Sequence, residues 1–89
     1  MSKKKYSLDE LQERARQMTL ATLKNYVIPH SYREKMVLGV SFEKDERIFE
    51  LYVPGEKPSD AIVISRAVLN SITGQGTVEI IGLEQKFSD

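Results

Sequence analysis

The spacing of hydrophobic positions changes once along this chain, and the change divides it into two kinds of structure. From Leu8 onward, apolar and small residues recur every three or four positions as Leu8, Leu11, Ala15, Met18 and Thr22, with Leu23 and Tyr26 broadening the stripe. From Met36 to Val53 they alternate instead. Met36, Leu38, Val40 and Phe42 interleave with Val37, Gly39, Ser41 and Glu43, and Phe49, Leu51 and Val53 interleave with Ile48, Glu50 and Tyr52. A period of about 3.6 lays one stripe along a helix, whereas a period of two sends alternate residues to one face of a strand. The pattern predicts a helix followed by strands.

The start of the helix is encoded within a few residues. Ser7 and Glu10 stand as N-cap and N3 of a capping box, and Tyr6 and Leu11 are placed to close a hydrophobic staple over the same turn. Asp9 and Glu10 set negative charge at the positive end of the helix dipole. Pro29 disfavours helical backbone at Ile28, so the helix is expected to end between Asn25 and Val27.

In the strand half, Lys44-Asp45-Glu46 makes the turn of a hairpin, and Pro54-Gly55-Glu56-Lys57-Pro58 reads as a loop. Ala61 to Thr73 admits two readings. The β-branched run Ala61-Ile62-Val63-Ile64 suits a strand. Alternatively, Ser65 caps a short helix over 66–72, with Gly74 at its C′ position and Ala67, Val68 and Ile72 facing the core. The strand continuing past Ser65 is preferred. Gly74-Gln75-Gly76 is a turn under either reading, and Thr77 to Leu83 is a last strand with Val78 and Ile80 inward and Gly82 at a bulge. The expected architecture is α+β: an N-terminal helix packed on a curved, mostly antiparallel sheet of about four strands. A basic arm over 1–6 precedes a single domain over 7–84, and a frayed tail over 85–89 follows, with Phe87 as its one packing candidate.

Composition narrows the function classes. The chain has 89 residues, enough for one domain and one modest core. Apolar residues at 40% and charged residues at 29% argue against disorder over most of the length. The absence of cysteine removes disulfides, thiolate metal sites and thiol nucleophiles together. The basic start Met1-Ser2-Lys3-Lys4-Lys5 runs into Tyr6-Ser7-Leu8-Asp9-Glu10, which is no secretion signal, and no run is long enough to span a bilayer. A soluble, cytoplasmic protein is expected.

The net charge of zero conceals a division. Residues 1–35 hold eight bases and four acids, a net of +4, while residues 36–89 hold five bases and nine acids, a net of −4. Such separation bears on partners and encounter rates. Glu43, Asp45, Glu46 and Glu50 cluster around the hairpin turn, where they can form one negative rim for a basic partner. The alternative is a charged tip that keeps a sheet edge soluble. The same carboxylate oxygens could hold Ca²⁺, but the chain has no Asp-x-Asp-x-Asp-Gly loop, which argues against calcium. Lys3, Lys4, Lys5, Arg14 and Arg16 are the candidate phosphate contacts, set against a solubilising arm and an acidic remainder that repels nucleic acid.

Catalysis has little to build on. His30 is the one histidine, and between Pro29 and Ser31 it reads as a polar loop residue more readily than as a general base. One histidine without cysteine assembles no ordinary zinc site. Gly74-x-Gly76 lacks the Lys-Ser/Thr of a phosphate loop. Tyr32 and Tyr52 read as half-buried packing or as interface aromatics. No catalytic residue, cofactor or metal is assigned.

The order of elements resembles that of a known group. A capped helix, a charged-tip hairpin over Val40 to Val53, and a second hairpin written Asn70-Ser71-Ile72-Thr73-Gly74-Gln75-Gly76-Thr77-Val78-Glu79-Ile80 look like the compact cystatin-like or NTF2-like bacterial immunity proteins. The shared local motif is the Thr73-Gly74 turn before a Val-rich strand. The chain departs from that pattern in lacking a tryptophan in the first hairpin and in carrying a second glycine, Gly76, in the turn. The resemblance implies neutralisation of a cognate toxin and transfers no functional residue.

The expected function is thus a small non-catalytic protein-binding module, of which an immunity-type inhibitor of a basic toxin or enzyme is one form. The alternatives are a homo-oligomeric structural or regulatory protein and a nucleic-acid adaptor acting through the N-terminal arm.

Overall fold

The computed structural model describes residues 5–85, the last of these by its backbone alone. Helix α1 spans Leu8–Leu23, and its first turn carries the complete capping box: Ser7 Oγ accepts from the Glu10 N–H at 3.1 Å, and Glu10 Oε1 accepts from the Ser7 N–H at 2.9 Å. The helix stops earlier than Pro29 alone requires. Tyr26–Val27 forms a short strand, β1, paired antiparallel with Glu84–Gln85, so this segment is extended where a longer helix was expected. A one-turn helix, α2, follows at His30–Arg33, with Pro29 at its N-cap.

The main sheet is antiparallel, with four strands in the order β2-β3-β4-β5: Val37–Glu43, Glu46–Val53, Ile62–Asn70 and Gly76–Ile80. A short 3-10 turn at Pro58–Asp60 joins the two hairpins, and the small β1 sheet is completed by β6, Glu84–Gln85. Gln85, expected in the frayed tail, is therefore paired by its backbone to Tyr26, just after α1; 86–89, including Phe87, lie outside the described residues.

The ambiguous segment is a strand from Ile62 to Asn70 and a turn from Ser71 to Thr73, and no helix forms over 66–72. The strand carries a register shift. Leu51 pairs with Ser65 but Tyr52 pairs with Val63, so Ile64 is an extra residue on β4. A bulge resets the alternation, and Ile64, Ser65, Ala67 and Leu69 are all buried. The helical reading rested on Ser65 as a cap and Gly74 as a stop, local signals that the pairing of β4 with β3 and β5 overrides. The bulge expected at Gly82 lies here instead, and Gly82 occupies a bend pressed against the Val63 carbonyl.

After Asn70 the chain turns through Ser71-Ile72-Thr73-Gly74. Asn70 Oδ1 accepts from the N–H groups of Ile72 (2.8 Å) and Thr73 (3.0 Å), and the Gly74 N–H donates to the Asn70 carbonyl at 2.8 Å. Gly74 has φ +76°, the left-handed geometry that glycine supplies without a side-chain clash. Gly76, expected within the turn, is the first residue of β5.

The core lies between α1 and the sheet in two groups. Leu11 and Ala15 meet Phe49, Ala67 and Leu69, with Tyr6, Met18 and Val78 at the margin. Leu23 meets Val53 and Ile64, with Ile80 among the flanking side chains. Val78 and Ile80 face inward as their alternation predicts. Leu11, Ile64 and Leu69 are fully buried, each stabilising the fold by about 1.5–3 kcal/mol relative to exposure. Leu8, expected on the buried stripe, is exposed at the end of the helix.

Candidate binding surface

Helix α1 packs on β3, β4 and β5, and β2 is left outside this contact. The geometry makes that unavoidable. A helix is about 10–12 Å across, whereas four strands spaced about 4.8 Å apart need cover over a greater width. The even residues of β2 share the helix side of the sheet, since Leu38 pairs with Leu51 and Val40 with Phe49. They remain in solvent: Leu38 is 45%, Val40 39% and Phe42 60% exposed, and Leu20 on the adjoining helix flank is 49% exposed. The stripe 36-38-40-42 reads in the sequence as a core face, yet most of it lacks a cover.

Between α1 and this uncovered strip runs an apolar groove of about 360 Å³. Ala15, Leu20 and Leu23 line it from the helix, and Met36, Leu38 and Leu51 line it from the other side. Arg16 and Arg33, both exposed, line it as well. Arg33 has no ion pair among the described residues, while Arg16 is held by Glu13. At the hairpin end, the Arg47 guanidinium stacks 4.5 Å from the centroid of the Phe42 ring and donates to the carbonyls of Lys44 (3.0 Å) and Glu46 (2.9 Å).

The acidic residues divide. Glu43 and Glu46 are direct register partners flanking a two-residue loop, Lys44-Asp45, which is one residue shorter than the expected turn. Like charges facing across a ladder repel. Asp45 is exposed, and its backbone carbonyl accepts from the Ser71 N–H at 2.7 Å. Glu50 is turned away from this group: its Oε2 accepts from Arg66 Nε and Nη2, both at 2.7 Å, across the β3–β4 ladder. Arg66 in turn faces Glu79 on β5. The negative tip therefore consists of Glu43, Asp45 and Glu46, and Glu50 belongs to a compensated row across the open face of the sheet.

The basic candidates divide as well. Lys3 and Lys4 lie outside the described residues, and Lys5 is exposed. Arg14 is drawn back onto the fold, its Nη1 donating to the Gly74 carbonyl at 3.2 Å and its guanidinium over the Tyr6 ring. Arg16 grips Glu13 with two hydrogen bonds, of 3.1 and 2.6 Å, and Gln17 donates to the same carboxylate at 3.0 Å. The Arg16 contact holds the Glu13 carboxyl below its ordinary range and raises the Arg16 guanidinium. Arg14 and Arg16, two residues apart on a helix, point to different partners.

His30 is exposed, with its Nε2 3.8 Å from Glu34 Oε1 one turn along. Among the described residues, no three His, Cys, Asp or Glu side chains gather as a metal site. Also among them, no helix is long and apolar enough to cross a membrane. The residues that sequence reasoning passed over are Leu20, Leu38, Val40 and Phe42. Their signal was arithmetical: one amphipathic helix is set against four strands. A scan against family models and searches of curated proteins and of solved structures return no match to this chain.

Proposed function

We propose that this chain is a non-catalytic protein-binding module whose contact surface is the apolar groove between α1 and β2. The observation that carries this reading is the half-covered sheet: Leu20 and Leu38 stand exposed in the groove, and Val40 and Phe42 continue the same exposed face of β2 beyond it. Contiguous exposed apolar surface rimmed by polar groups marks interaction sites. The partner that fits is a protein segment with apolar side chains flanked by acids, because Arg33 lines the groove without an ion pair among the described residues. An immunity-type inhibitor, suggested by the order of helix and hairpins, is one form such a module takes.

Capture of partners from a lysate by the tagged protein tests this reading. Leu20→Lys, on the helix flank, is expected to lose a stoichiometric partner that the wild type retains, and Arg33→Glu is expected to weaken it. A partner held equally by wild type and Leu20→Lys would remove the groove from the interface.

A second reading is favoured by the facing pair Glu43 and Glu46, which has no ion pair among the described residues. The hairpin tip then steers a basic partner. Glu46→Lys is expected to slow association at low salt and to matter little at high salt. An unchanged on-rate with an identified partner would eliminate the tip.

A further inference from the structure

We propose that two copies of this chain pair antiparallel along β2, joining their sheets into one of eight strands. The inference goes beyond the groove reading, because it rests on the backbone of the edge strand. Among the described residues β2 has one sheet neighbour, β3, and its seven residues contain neither proline nor a register shift. Those are devices by which natural edges avoid pairing, and the one charge on β2, Glu43, sits at its end. The other edge, β5, is five residues long and presents Gly76, Thr77 and Glu79.

The hairpin loop decides which backbone groups of β2 are free. A two-residue loop closes on a hydrogen-bonded pair, here Glu43 with Glu46. Counting back by twos, Glu43, Ser41, Gly39 and Val37 turn their N–H and C=O groups toward β3. Leu38, Val40 and Phe42 turn theirs outward. On the helix side of the sheet, the β2 residues that expose apolar side chains, Leu38, Val40 and Phe42, are therefore the same ones whose backbone turns outward; Val37, exposed on the opposite side, has its backbone turned toward β3.

The strand is also complementary to itself. With the two-fold axis at Val40, Val40 meets the Val40 of the second copy and Leu38 meets its Phe42, so apolar residues oppose apolar residues on the helix side. Lys35, two residues before β2, comes near the second copy's Asp45 at the hairpin tip. A net charge of zero leaves little long-range repulsion between copies. The symmetry is isologous and closed, so pairing stops at two. Both helices lie on one side of the joined sheet, and the two grooves open into a common trench.

Sedimentation velocity from low to high micromolar concentration tests the proposal, with circular dichroism as the check on folding. The wild type is expected to form a dimer. Val40→Pro removes one outward N–H without touching the β2–β3 ladder, and is expected to be a folded monomer. Val40→Lys and Val40→Glu place like charges face to face across the axis, and each alone is expected to be monomeric. Mixed in equal amounts, they are expected to recover a heterodimer, which this register requires. A wild type that stays monomeric throughout the range overturns the proposal, as does a dimer indifferent to all three substitutions. Leu20→Lys, away from the strand edge, is expected to dimerise normally. A monomeric wild type that still loses a captured partner on Leu20→Lys would end the pairing proposal and leave the groove reading standing.

Discussion

Arg14 on α1 reaches Gly74 across sixty residues of sequence, its Nη1 donating to the glycine carbonyl at 3.2 Å. The same guanidinium lies 4.7 Å from the centroid of the Tyr6 ring, and the Tyr6 N–H donates to the Ser71 carbonyl at 2.7 Å. The ring fills the space beside Gly74 so closely that a Cβ there would fall 2.6 Å from it. One cation thus ties the segment before the helix to the turn between β4 and β5.

Gly74→Ala is expected to destabilise the protein by about 1–3 kcal/mol, since it combines a left-handed backbone with a clash against Tyr6. Urea denaturation reads the loss. A wild-type midpoint would mean that the Tyr6 ring yields without cost and that the stack is not structural.

Ser71→Ala is expected to stabilise. The Ser71 backbone holds both the Asp45 carbonyl and the Tyr6 N–H, but its buried Oγ has no hydrogen-bond partner among the described residues. Alanine keeps both backbone bonds and removes an unsatisfied hydroxyl, a gain of about 1 kcal/mol. In a domain of this size that corresponds to a rise in Tm of roughly 4–8 °C by calorimetry. A lower Tm would show that the hydroxyl contributes a bond after all.

The hairpin tip offers a paired test. Lys44 has φ 53°, a left-handed conformation unfavourable to a side chain, whereas Asp45 does not share it. Lys44→Gly is expected to raise stability by about 0.5–1 kcal/mol, the relief of strain exceeding the added chain entropy. Asp45→Gly has no strain to relieve and is expected to lower it. Equal effects from the two would contradict the assigned loop geometry.

Glu13 provides the pH dependence. Hydrogen bonding from Arg16 holds its carboxyl below the ordinary 4.5 in the folded protein. A folded value below the unfolded one means that the contribution is present above the unfolded value and lost as pH falls through the folded one. The pair is exposed, so its influence on stability is small. An NMR titration of the Glu13 side chain is expected to show a depressed midpoint that returns upward in Arg16→Gln. A midpoint unmoved by that substitution would assign the shift to another cause.

Much of the candidate chemistry could be found in the sequence, but its grouping could not. Glu43, Asp45 and Glu46 are neighbours along the hairpin and remain together at its tip. Glu50 joined them on sequence distance, yet Arg66, sixteen residues on, claims its carboxylate through the β3–β4 register. Arg14 and Arg16 looked like one basic cluster, but a helix turns residues two apart to different sides, one to Gly74 and the other to Glu13.

The sequence by itself determined what depends on near neighbours: the capping box of Ser7 and Glu10, the alternation of the first hairpin, and the glycine at the second turn. These are interactions over two to four residues, and their geometry follows from backbone period and local hydrogen bonding. The tertiary structure decided the rest. Glu84–Gln85 paired with Tyr26–Val27 and shortened the helix, and one added residue at Ile64 let β4 keep its inward face. Above all, alternation can place Leu38, Val40 and Phe42 on one face without saying whether anything lies over it. That is settled by widths in space: one helix covers β3 to β5, and β2 remains as the open edge.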